Sequence, residues 1–133
     1  MRKALYAFAI VLACVAMTQG ALKAQCTLRT GARVVLYGTS DDPDVFVWDS
    51  RFRMRSYARG SFDQARALLP HALLVEPGTR ARIVSCVAGF VESKYSDRAD
   101  DAIGIVIVSG RYRGRGGWVL ETDVRSMLRR LTR

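Results

Sequence analysis

The residues able to do chemistry in this chain are few and scattered. There is a single histidine, His71, directly after Pro70. As a general base it would need a nucleophile such as Ser61 or Ser85, or carboxylates such as Asp49 and Asp123 to share acid–base work. No recognisable motif joins these residues, and no carboxylate or amide partner for His71 stands out in the sequence. A histidine at a helix end is more simply a surface or capping group. Metal chemistry fares no better, because one histidine and two cysteines with another use cannot build a usual tetrahedral site. Asp41, Asp42 and Asp44, and the pair Asp100–Asp101, lack the ligand spacing of an EF-hand and read as acidic turns. Gly114-Arg115-Gly116-Gly117 lacks the Lys-Ser/Thr that completes a phosphate loop. The expectation is therefore a protein without catalytic residues, metal or cofactor.

The cysteines carry more information. Of three, Cys14 lies in an N-terminal leader and Cys26 and Cys86 lie beyond it. Arg2 and Lys3 open that leader, Ala4 to Met17 is an uncharged run of fourteen residues, and small residues follow at Gly20 and Ala24. A basic start, a short apolar run and a small-residue exit make a secretory signal peptide. The run is shorter than the roughly 20 residues of a membrane span. The expected division is a signal peptide over 1–24 and one domain over 25–133, with cleavage after Ala24 or after Gly20. Val11-Leu12-Ala13-Cys14 also resembles a lipobox, in which Cys14 would carry lipid and anchor the protein to a membrane. On either route the domain is exported, to the periplasm or beyond. In an oxidising compartment Cys26 and Cys86 are most simply a disulfide.

The formal charge of +9 falls to +6 when Arg2, Lys3 and Lys23 leave with the leader. Half of the residues are hydrophobic, which excludes a disordered tail. Arg51, Arg53, Arg55, Arg59 and Arg66, with Tyr57 among them, have the composition of a nucleic-acid patch. An exported address argues against nucleic acid, and a solvated basic face is the simpler reading.

The elements that must position these residues are mostly strands. Arg33–Tyr37 and Val45–Trp48 read as β-branched strands separated by the turn-rich stretch 38–44. Over 49–60 arginines alternate with Phe52 and Met54, but Met54, Tyr57 and Ala58 have helical spacing between Ser50 and Gly60, which favours a short helix or irregular turn. Ser61 caps a helix over Phe62–Leu69, ended by Pro70. Arg80–Val91 is a long strand bent at Gly89, and Ile103–Val108 is a strand covered on both faces. Trp118–Leu120 is the expected final strand, followed by a helical turn from Val124 to Leu128. The fold class is mainly β: a small antiparallel barrel or sandwich with one or two short helices inserted in the first half, the barrel being the form that the resemblance below implies.

The C-terminal half resembles a known family. Gly114-Arg115-Gly116-Gly117-Trp118-Val119 is similar to the Gly-Arg-x-Gly-Trp-Val hairpin of bacterial Src-homology-3-like barrels. Pro77-Gly78-Thr79 before Arg80–Val84 resembles their Gly-Thr-then-strand unit, and Thr122-Asp123-Val124 their short closing turn. The resemblance spans about residues 77–128. It implies a Src-homology-3-like domain whose first loop, within 26–76, is elaborated. Trp118 can plug one end of such a barrel, and Arg115 can lie over an aromatic face or pair with an acid. Trp48, Tyr57, Tyr112, Arg115 and Trp118 form the candidate ligand surface. The functional expectation is an exported, non-catalytic binding or structural module of the cell envelope. Its partner would be a peptide, a glycan polymer or a protein. A small secreted hydrolase or enzyme inhibitor, and a lipid-anchored accessory protein, are the alternatives.

Overall fold

The computed structural model describes residues 25–92 and 97–127. The expected leader, with Cys14, lies outside the described residues. Seven strands, β1 (Arg33–Leu36), β2 (Val45–Trp48), β3 (Ala72–Val75), β4 (Thr79–Val91), β5 (Asp100–Ile107), β6 (Gly116–Leu120) and β7 (Val124–Ser126), make one sheet. The spatial order is β3-β2-β6-β5-β4-β1-β7, every pairing is antiparallel, and the sheet curls into a half-barrel. The mainly β class, with two short helices in the first half, is as the sequence predicts.

The long strand β4 makes the curl possible. Its pairing with β5 slips between Ile83 and Ser85 and again between Val87 and Val91. Bulges of this kind bend a strand and increase its twist. Gly89, at φ +60°, supplies a backbone conformation that a side chain disfavours, at the expected bend. The inner face of the curl is aliphatic: Val34, Leu36, Ile83, Ile103, Ile105 and Val119 are fully buried together.

The helices α1 (Arg51–Arg59) and α2 (Phe62–Leu68) sit between β2 and β3. Ser50 is the N-cap of α1, its hydroxyl accepting from the Phe52 N–H, and the Gly60 N–H closes the last turn onto the Ser56 carbonyl. The helical spacing of Met54, Tyr57 and Ala58 prevails over the alternating arginines because it buries Met54 completely. Ser61 and Gln64 form a reciprocal capping box at the start of α2.

Three elements depart from the sequence reading. Ala72–Val75, which carries no strand signal beyond its apolarity, is β3 and pairs with β2 through Val45↔Val75 to Trp48↔Ala72. Pro70 does not end the chain's helical course at once, since Leu69–His71 makes a 3-10 turn that feeds directly into β3. The closing helical turn expected from Val124 is instead strand β7, paired with β1 at Leu36↔Val124 and Val34↔Ser126. The 3-10 turn lies one step earlier, at Glu121–Asp123. The reason is the edge of β1: without β7 its backbone groups would lie open, and Val124 would leave the core.

Candidate functional site

A second cluster of buried residues lies where β2, α1 and β6 meet, and it is rich in aromatic rings. Trp48 and Met54 are buried there, with Phe46, Tyr57, Phe90 and Trp118 packed around them. The Phe46 and Trp48 rings are 5.9 Å apart, Phe46 and Tyr57 5.7 Å, and Trp48 and Tyr57 4.8 Å, all in tilted or edge contact. Such pairs add to the area they bury and hold each other in place. Trp118 is the cross-strand partner of Trp48, and its ring tip lies over Gly104 of β5.

The glycines before Trp118 divide their work. Gly114, at φ +89°, turns the loop. Gly117 instead leaves room for β2, because a Cβ there would stand 2.5 Å from the Val47 side chain and 2.7 Å from the Trp48 carbonyl. The Gly-Gly-Trp sequence thus allows β2 to reach the edge of β6, which places Trp48 beside Trp118.

The outer side of this cluster is a cleft of about 210 Å³, bordered by Phe46, Trp48, Tyr57, Asp42, Asp44 and Asp123. Its loop wall, residues 38–44, is built by backbone hydrogen bonds from Gly38 to Pro43 and from Thr39 to Asp42, each 2.9 Å. Gly38 is buried against that wall, and a Cβ on it would meet the Asp42 carbonyl at 2.3 Å. The Arg125 guanidinium fastens the same loop by donating to the Gly38 carbonyl, 3.2 Å. Asp42 and Asp44 are exposed, whereas Asp123 is partly buried. Burial pushes the Asp123 carboxyl up to about 6; Arg125 opposes the rise, and Asp100 and Asp42 add to it. The cleft is small beside the several hundred Å³ of a typical ligand pocket, so its volume suits one side chain or one head group. Aromatic faces with carboxylates beside them are suited to a cation.

The five residues of the expected ligand surface do not form one site. Trp48, Tyr57 and Trp118 come together in the aromatic cluster. Tyr112 packs against the aliphatic core, with Arg111 over its ring at 5.5 Å. Arg115 is exposed and lines a different cleft, beside His71, Asp49 and Gly116.

His71 does have a carboxylate partner, contrary to the sequence reading. Its Nδ1 lies 3.2 Å from the Asp49 Oδ2, and Arg53 donates to the same oxygen at 2.7 Å. Burial raises the Asp49 carboxyl, but the hydrogen bonds and charges of Arg53 and His71 together outweigh it and hold the group below its ordinary value. The pairing was hidden because the residues lie 22 positions apart, across two helices. Neither Ser61 nor Ser85 lines this cleft, and among the described residues bordering it there is no hydroxyl or thiol.

Cys26 and Cys86 form a disulfide with their Cα atoms 6.4 Å apart. With buried Asp101 they make the one grouping of three metal-type ligands among the described residues. The two sulfurs are bonded to each other, and the Asp101 Oδ1 accepts from the Gly89 N–H at 2.9 Å. Asp101 therefore has a structural partner at the bend of β4. Among the described residues no helix is long and apolar enough to cross a membrane. Comparison with family models, with curated proteins and with solved structures finds no match to the chain.

Proposed function

We propose that this chain is an exported, non-catalytic binding module of the cell envelope, built on a Src-homology-3-like barrel, and that its ligand seat is the aromatic and acidic cleft. The cleft carries the reading: the partly exposed rings of Phe46 and Tyr57, backed by buried Trp48, border it, and Asp42, Asp44 and Asp123 offer negative charge, on a domain that is otherwise basic. The matching group is a cation, such as the amine or guanidinium of a peptide or protein partner. Cation–ring attraction adds about 0.5–2 kcal/mol per contact, which is enough to select a charged side chain over an apolar one of similar length.

Support for the barrel comes from the order of elements in the C-terminal half. The Gly-Thr strand β4, the strand β5 before the hairpin, the tryptophan strand β6 and a short closing turn succeed one another in one meander. The first loop, elaborated into β2, α1, α2 and β3, supplies one wall of the cleft. The disulfide is compatible with export, and the leader supplies the address. Sequencing the mature N-terminus by mass spectrometry separates cleavage near Ala24 from lipidation of Cys14.

The test is a titration with two short peptides that differ only in a lysine or a norleucine, followed by NMR of the Trp48 indole N–H. Saturable movement with the lysine peptide alone is expected, together with its loss in Tyr57→Ala and in Asp123→Asn. Equal response to norleucine, or an unchanged response in Asp123→Asn, would sink the cleft as a cation seat. Retention on isolated cell wall or envelope extract at low salt tests the address of the partner; clean recovery in the unbound fraction counts against the wall.

One observation favours the hydrolase reading: the imidazole of His71 is oriented by Asp49 in a surface cleft, beside Arg115. What that arrangement lacks is a nucleophile within the cleft. The reading stands or falls with His71→Ala, which must abolish any turnover found.

A further inference from the structure

Beside the first turns of α1, two arginines share one aromatic platform. The Arg51 guanidinium carbon lies 5.2 Å from the centre of the Phe52 ring, 5.4 Å from Phe90 and 5.4 Å from Trp118. That of Arg55 lies 4.5 Å from Phe90 and 5.4 Å from Phe52. Phe52 and Phe90 meet edge to face at 5.4 Å. Two like charges are thus held over the same ring, one helical turn apart, where each raises the energy of the other.

Among the described residues neither arginine makes an ion pair, and the nearby acids are engaged elsewhere: Asp49 by Arg53 and His71, Glu92 by Arg59. The Arg51 Nε is buried and has no hydrogen-bond partner at all. An orphaned, charged donor is expensive to leave in place. Arg51 is also the first residue of α1, the positive end of the helix dipole, and that first turn contains no acid. Phe52 is 53 % exposed, so the platform is open to solvent. The paired charges and the acid-free first turn are unfavourable for the isolated protein, and one anion bound between the two guanidinium groups would relieve both.

We propose that Arg51 and Arg55, stacked on Phe52, Phe90 and Trp118, form a seat for a phosphate group. The rings keep the two planar forks in fixed orientations, the condition for bidentate recognition of oxyanions. A phosphate monoester offers two charges and three oxygens to the two cations, whereas a carboxylate offers one charge. The phosphate comes either from a soluble phosphorylated ligand or from a lipid head group. The seat shares no residue with the cation cleft, so either can fail without the other.

The experiment follows the Arg51 Nε–H resonance of the oxidised protein during titration with inorganic phosphate, with acetate in parallel. Saturable movement with phosphate is expected, and weaker movement with acetate. Arg51→Gln with Arg55→Gln should weaken phosphate binding at least about tenfold, read from Trp118 fluorescence. The charge-matched control, Arg80→Gln with Arg82→Gln, removes two exposed arginines from β4 and should leave it within about twofold. Should the glutamine pair fail to fold by thermal melting, Arg51→Lys with Arg55→Lys keeps both charges and still loses the forks, and should weaken binding roughly threefold or more. Absence of saturable phosphate binding, equal binding of acetate, or equal weakening in the Arg80/Arg82 control would overturn the seat. Sedimentation with phosphatidylcholine vesicles, with and without phosphatidic acid, whose head group is a phosphate monoester, identifies the source. Capture only by the anionic vesicles, lost in the glutamine pair, assigns a lipid head group; phosphate binding without vesicle capture assigns a soluble ligand.

Discussion

The two clusters of buried residues are made of different materials. The first, under β1, β4, β5 and β6, is built of valine, isoleucine and leucine and is closed to water. The second, between β2, α1 and β6, sets rings and Met54 on an aliphatic base that includes Val91 and Ala102, and its outer rings Phe46, Tyr57, Phe90 and Trp118 are only partly buried. Aliphatic β-branched side chains fill a curled sheet tightly and offer a ligand nothing. Partly exposed rings bordered by arginines on one side and carboxylates on the other leave charge unsatisfied at the surface. The contrast separates what holds the half-barrel together from what it presents. It also explains why the candidate sites border the inserted loop and its junction with β6.

The sharpest way to break the aliphatic side is the disulfide. Cys86 packs against that cluster, and the bond to Cys26 closes a separation of 60 residues. Cys26→Ser with Cys86→Ser should cost about 4 kcal/mol, the loop-closure entropy restored to the unfolded chain. Denaturant unfolding of oxidised wild type against the serine pair measures it. A loss below about 1 kcal/mol would mean that the bond is not a stabilising tie.

Next in size is a cavity. Ile105 is fully buried at the centre of β5, and Ile105→Ala should cost about 3 kcal/mol without altering binding of the lysine peptide. Tyr57→Ala should do the reverse in proportion. Its ring is partly exposed, so truncation should cost no more than about 1–2 kcal/mol of stability yet remove most of the peptide binding. If Tyr57→Ala proves the more destabilising of the two and leaves binding intact, the division between a holding cluster and a presenting cluster is wrong.

Much of the holding cluster was legible in the residues themselves. The β-branched runs at 33–36, 45–48 and 103–107 are strands, and the glycine at 89 marks the bend of β4. Serine caps at 50 and 61 and the stop at Gly60 delimit both helices. These features are local, and local chemistry dictates them. What escaped the sequence depends on partners distant along the chain. Ala72–Val75 is a strand only because the edge of β2 is available to pair with it, and Val124–Ser126 only because β1 needs a neighbour. The presenting cluster was legible in part: Trp48, Tyr57 and Trp118 do assemble, but nothing in their spacing separated them from Tyr112 and Arg115. The platform of Arg51, Arg55 and Phe90 was missed altogether, because Phe90 reaches the helix from β4. The alternating arginines and aromatics over 51–57 were the available signal, and they read equally as a solvated face.

Smaller effects come from two carboxylates whose titrations have opposite signs. The Asp123 carboxyl in the cleft is raised from 3.8 to about 6, first by burial. Its neutral form is the one the fold favours, so its contribution is complete below pH 3.8 and is lost as pH rises through about 6. Asp123→Asn should remove that slope and raise stability at pH 7 by something of order 2 kcal/mol. Cation binding runs the other way, since it needs the ionised carboxylate. The lysine peptide should bind progressively more weakly below pH 6, about tenfold more weakly at pH 5 if Asp123 provides the decisive charge. A pH profile of binding that is flat between 5 and 7 would remove Asp123 from the site.

Asp49, on the face with His71 and Arg53, is the counterpart. Its carboxyl is held below the ordinary value because Arg53 and His71 together outweigh desolvation, so its ionised form is the favoured one. The contribution is present above the unfolded value of 3.8 and is lost as pH falls through the lowered folded one. All three side chains of this group are close to half exposed, so solvent screens the gain. Arg53→Ala should cost no more than about 0.5 kcal/mol at pH 7, and salt should erase part of that. His71→Ala should be as mild and should leave peptide binding unchanged. A loss above about 2 kcal/mol in either variant would exceed what an exposed pair supplies. It would also show that the Asp49 group braces the junction of β2 with α1, and so belongs with the residues that hold the molecule together rather than with its surface.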